Sequence, residues 1–120
     1  MASNSPITTV FNIGAITNAT LPLLKVPEGF GGITILEVQS TQLTAGTTQL
    51  YLIDTGSAGT STSGGTLATS GTAHAAKVPV AWTVASSPYL AEGSYLAVKE
   101  GNVGTTVTVT EVAVTYVFGK

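Results

Sequence analysis

The residues in this chain that could carry chemistry are few. The run Leu52-Ile53-Asp54-Thr55-Gly56-Ser57 places a carboxylate just after an apolar strand. Two such carboxylates, one from each of two copies, can share a proton and activate water against a peptide bond. The competing reading is a strand that ends in an Asp-Thr-Gly turn, which Asp and Gly favour for backbone reasons alone. His74 is the only histidine. It has no acid nearby, so it builds neither a nucleophilic triad nor a metal site, and it reads as a solvated loop residue. The glycines at 56, 59, 64 and 65 lack the Gly-Lys-Ser/Thr ending of a phosphate cradle and read as flexible loop. The acids Glu28, Glu37, Glu92, Glu100 and Glu111 are scattered without paired spacing and read as solvated turn and edge charges.

Asp-Thr-Gly is the signature of aspartic proteases, and the retroviral type works as homodimers of similar chain length. That family also has a second hydrophobic-Gly element and a short helix near its end. Here the chain closes on strand residues and Phe118-Gly119-Lys120, and low-complexity sequence follows Ser57. The turn is the preferred reading. Trp82, Tyr89 and Tyr95 could form a sugar-stacking platform, but Trp82 shares its parity with valines and reads as core. Asn18-Ala19-Thr20 fits a glycosylation sequon, which without an export signal reads as chance.

Composition narrows the class further. The chain has 120 residues, enough for one domain with a sizeable core. It has no cysteine, which rules out disulfides and thiolate zinc. There are four lysines, no arginine and six acids, against 21 Thr and 10 Ser. On the roughly 6,000 Å² expected of a domain this size, that is about one charge per 600 Å². Burying a lysine or glutamate at a contact costs several kcal/mol unless it is paired, whereas a hydroxyl is covered cheaply. The surface is therefore suited to being covered by other protein. Net charge is −2, with no basic run, so nucleic acid is not an expected partner. A membrane is not one either. No apolar run approaches the ~18–20 residues of a spanning helix. The start, Met1 to Pro6, has no basic and apolar leader, and no aromatic girdles of an outer-membrane barrel are visible.

The elements that would position these residues are strands. Segments rich in Val, Ile, Thr and Tyr follow one another between turn residues, with no convincing helical period. We place strands at 8–16, 21–26, 33–39, 48–54, 78–84 and 94–100, with turns at Pro27–Gly32 and Gly101–Gly104. Val78, Val80, Trp82 and Val84 share one face, and Pro79 puts that strand at an edge. In the last segment, 105–118, Val107 and Val109 have one parity and Val112, Val114, Tyr116 and Phe118 the other. A bulge or bend near Thr110-Glu111 reconciles them. Residues 55–76 read as a long exposed Gly/Ser/Thr loop with a short strand near 66–69. The expectation is an all-β, single-domain β-sandwich of the jelly-roll kind at 8–120, preceded by an N-terminal arm at 1–7.

The run Tyr95-Leu96-Ala97-Val98-Lys99-Glu100-Gly101-Asn102-Val103-Gly104-Thr105 leads into a Thr/Val strand ending Tyr116-Val117-Phe118. Over this last quarter, and in composition, the chain resembles the small jelly-roll decoration, or cement, proteins of tailed bacteriophage capsids. The resemblance implies a structural protein with no cofactor and no catalytic residue. It implies a homotrimer bound to the major capsid protein on the virion exterior. It also implies a short arm touching the capsid, for which Ser3, Asn4, Ser5, Pro6 and Ile7 are the candidates. Phe30 and Tyr89, bulky residues outside clear strand interiors, are the candidates for a subunit interface. A carbohydrate-binding or fibre-tip module of similar fold is the alternative.

Overall fold

The computed structural model describes residues 5–17, 20–56, 65–86, 88–101 and 106–119. They form ten strands and no helix. The first five are β1 (Ile7–Thr17), β2 (Thr20–Lys25), β3 (Ile33–Gln42), β4 (Leu50–Asp54) and β5 (Thr66–Thr69). Three two-residue pieces follow: β6 (Val80–Ala81), β7 (Thr83–Val84) and β8 (Tyr89–Leu90). The chain then forms β9 (Tyr95–Glu100) and β10 (Thr106–Phe118). Branched and aromatic residues fill these segments because their side chains pack well on a pleated surface.

The pairing follows a simple rule. The first half of the chain pairs antiparallel with the second half in reverse order: β1 with β10, β2 with β9, β3 with β6 and β8, and β4 with β5. This long hairpin is then rolled so that β10 also pairs β3 and β9 also pairs β4. The result is two five-stranded sheets, β1-β10-β3-β6 with β8 also on β3, and β2-β9-β4-β5-β7. A hairpin rolled into two antiparallel sheets is the jelly roll.

The core lies between the sheets. From β3 and β10 it takes Ile33, Ile35, Val38, Val112 and Val114, and from β4, β5 and β9 it takes Leu50, Leu52, Leu67, Leu96 and Val98. The parity change expected in the last strand is present as a register shift between Val109 and Glu111 opposite β3. A second shift, at Thr115/Tyr116, turns Leu36 of β3 out to solvent between the buried Ile35 and Val38. In the described structure β10 stays within one sheet. The segment that changes sheets is 80–84: β6 pairs β3, and two residues later β7 pairs β5 in the other sheet.

The segment expected as one strand over 78–84 is therefore two short edge pieces, with Val78 exposed and Pro79 outside both. Trp82 sits at the crossover, 6% exposed, its indole Nε1 donating to Ser40 Oγ at 2.8 Å. The loop expectation is corrected for its second half, since Leu67, Ala68, Ser70 and His74 are buried. The cause is not apolar bulk. Small residues let the backbone approach β4 closely, so Leu50 N donates to Ser70 Oγ and Ser70 N donates to Leu50 O. Residues 57–64 and the tip of the turn at 102–105 lie outside the described residues.

Candidate functional site

The sequence candidates fall at different places. Ser3 and Asn4 lie outside the described residues, and Ser5 and Pro6 are exposed. Ile7, grouped with the arm, is the first residue of β1 and sits opposite Tyr116. Phe30 lies on the turn 27–32, and Tyr89, in β8, reaches the same turn at Gly31. That turn is held from across the fold. The Glu92 carboxylate accepts from Gly29 N at 2.8 Å and Gly31 N at 2.6 Å, and the Tyr89 hydroxyl donates to Gly31 O at 2.6 Å. Gly29, Gly31 and Gly32 all have positive φ, which suits glycine. The clamp leaves the Phe30 ring 58% exposed, against Phe118 at 4.7 Å between centroids, with Tyr116 edge-on to Phe118 at 5.9 Å. Glu92 is 61 residues from the turn it clamps, so no local sequence signal could have found this contact.

Asp54 ends β4 half-buried, and its Oδ1 accepts from Gly56 N at 2.8 Å. That is the side-chain cap of an Asx turn. Thr55 donates from Oγ1 to Tyr95 O at 3.3 Å, so the same turn is tied to β9.

His74 is not the solvated residue its surroundings suggested. It is 4% exposed, and its backbone exchanges two hydrogen bonds of 3.0 Å with Gly46. Neither ring nitrogen has a partner among the described residues, nor does the buried Gln42 Nε2. An open depression of about 610 Å³ lies alongside, lined by Ala45, Gly46, Thr47, Ala73, His74, Ala75 and Val80. The imidazole nitrogens are closed off from solvent. A molecule in the depression would therefore meet mostly methyl groups and the Thr47 hydroxyl. Glu100, read as a solvated charge, is buried as well. Its alternation along β9 turns it inward with Leu96 and Val98.

The outer face of the β9 sheet carries two half-buried tyrosines. Tyr51 lies opposite Lys99 and Tyr95 opposite Lys25. Each lysine ammonium lies 5.8 Å from its tyrosine ring centroid, within cation–π range. Between them Ile53 and Ala97 are buried yet outside the inter-sheet core. Of the platform residues weighed from sequence, Trp82 is enclosed and Tyr89 is pinned to the turn. Among the described residues no group of three His, Cys, Asp or Glu could hold a metal, and no helix is long and apolar enough to cross a membrane. No protein-family model, no curated protein and no solved structure matches this chain at a significant level.

Proposed function

We propose that this chain is a structural virion protein, a jelly-roll subunit that trimerises and decorates a bacteriophage capsid from outside, cementing the lattice of the major capsid protein. One observation carries this reading. The chain has only ten charged residues, Glu100 among them buried, for a folded surface of 6134 Å², while Ile7, Val10, Phe30, Leu36, Leu43 and Val78 stand exposed. A surface with so little charge is desolvated cheaply, so large areas of it can be covered by protein. The resemblance of residues 95–118 to decoration proteins supplies the kind of partner. In this reading Ser3 to Ile7 reach the capsid, and Phe30 with Tyr89 lies at a subunit contact. No nucleic acid, membrane or cofactor takes part. Purified protein added to capsids that lack it should bind saturably and in whole-number stoichiometry, and should raise the temperature at which they rupture. Capsids that neither bind it nor gain stability would overturn the proposal.

The alternative, a carbohydrate-binding or fibre-tip module, is favoured by the Tyr51–Lys99 and Tyr95–Lys25 face. Glycan binding that is lost in Tyr51→Ala and Tyr95→Ala would promote it.

A further inference from the structure

A sandwich of two open sheets has four edges, and a long bare edge invites pairing with another chain. Three edges of this protein are blunted. β6 and β8 are two residues each, with Pro79 and Pro88 just before them. β7 is two residues. β2 carries Pro22, Lys25 and a register shift between Pro22 and Leu24. β1 has Pro6 just before it but none of the other devices. It runs for 11 residues without a charge or a proline, and nothing described pairs on its far side. Its one interruption is Gly14, at φ +85°.

The two sheets are stacked so that β1 and β2 lie on the same side of the molecule, with β1 across from β9, the neighbour of β2. This side is also the less completely closed. The opposite one is spanned by the crossover at 80–84 with Trp82 enclosed. Here Phe11 and Ile13 of β1 and Leu21 and Leu23 of β2 pack against the core but remain only half-covered, and Ile7 and Val10 are exposed. An unprotected backbone edge and a half-closed apolar seam thus coincide.

We propose that the β1/β2 side is the surface on which further copies of this chain dock. The inference deepens the oligomeric reading above and rests on it: in the trimer this side faces the threefold axis. The occupant follows from charge and size. The seam holds a single charged residue, Lys25 at its end, so identical seams meet without like-charge repulsion, while a charged partner finds almost nothing to pair with. Eleven residues at ~3.3 Å each give a strip roughly 36 Å long. Across the molecule's shortest extent of 24 Å, that is on the order of 800–900 Å², the scale one partner contributes to a specific interface. The backbone groups on the far side of β1, with the exposed Asn12 amide, supply donors and acceptors to a neighbouring copy, while the Thr8 and Thr9 hydroxyls are engaged with Thr115 and Tyr116 of β10.

The test uses full-length chain, free of native cysteine. Val10→Lys combined with Ala15→Lys changes only exposed positions of β1; Thr83→Lys, on the opposite side, is the control. Circular dichroism and melting verify folding. Analytical ultracentrifugation should show the β1 variant self-associating at least about tenfold more weakly, with the control unchanged. Asn12→Cys treated with a short bis-maleimide should give cross-linked dimers and Thr83→Cys should not. An oligomer undisturbed by the β1 lysines, or cross-links through Thr83→Cys in place of Asn12→Cys, would overturn the inference. So would a wild type that stays monomeric both in solution and on capsids. Capsid binding is read separately. Oligomers that form through this side but bind no capsid would uphold the inference and remove the virion role. Capsid binding by subunits joined elsewhere would do the reverse.

Discussion

Trp82 is held by its ring in the core and by its indole on the Ser40 hydroxyl, itself buried. Trp82→Phe removes the donor and leaves Ser40 Oγ short of a partner, at about 1–3 kcal/mol for the unsatisfied group. Trp82→Ala adds a cavity, for about 3–5 kcal/mol in all. Urea unfolding should rank the two in that order. The glycines of the clamped turn make a sharper comparison. A Cβ on Gly32 would run into the Tyr89 hydroxyl and the Leu90 carbonyl, whereas a Cβ on Gly29 meets open space. Both have positive φ, worth about 1 kcal/mol or more of strain for alanine. Gly32→Ala should therefore cost clearly more than Gly29→Ala, and equal losses in a denaturation series would show that the turn yields. At Asp54 the structural bond needs only an acceptor, which Asn also offers to Gly56 N. Asp54→Asn should leave stability within about 0.5 kcal/mol and every activity unchanged. Pepstatin-sensitive cleavage of a protein substrate by the wild type would promote the protease reading instead.

At the scale of elements, the stretch after β4 divides in two. On the sequence reading of 57–64 as Gly/Ser/Thr loop, removing a few residues there changes loop-closure entropy only slowly and should shift melting by no more than a few degrees. The part from Leu67 onward belongs to the fold. Ser70→Ala strips the buried Leu50 amide of its acceptor and should cost about 1–3 kcal/mol; Leu67→Ala should cost about 2–5 kcal/mol. Loop shortening that proves as damaging as these substitutions would refute the division. The strand register was partly legible beforehand. The parity switch in 105–118 revealed the bulge, because a strand cannot exchange faces without an extra residue. The split of 78–84 between two sheets was not legible. Val80, Trp82 and Val84 alternate in the same way whether the backbone stays in one ladder or crosses to another.

For the whole molecule, the far-UV circular dichroism spectrum should be of β type with negligible helix; a helix signal near a third would refute the fold. The proposed self-association through Thr/Val-rich surface would release water and pair few charges. The oligomer should therefore resist salt, unlike an assembly driven by ion pairs. Sedimentation in low and high salt checks this, and dissociation at high salt would mean that the few lysines and acids govern the contact.

The sequence alone determined the class of the molecule. Dense Val, Ile and Thr with frequent turn residues specify strands, and scarce charge specifies a surface that can be covered. These are sums over many residues, or short-range alternation, and neither needs a partner in space. Asp54 was legible for the same reason, since its turn bond spans two residues. What only the tertiary structure decided depends on residues far apart in the chain. Glu92 clamps a turn 61 positions away, and His74 is buried because its backbone pairs with Gly46. The bare edge of β1 exists because β10 takes its other side and nothing described takes the second. A strand's own residues state that it will pair. Which of its two edges stays open is settled only when every other strand has been placed.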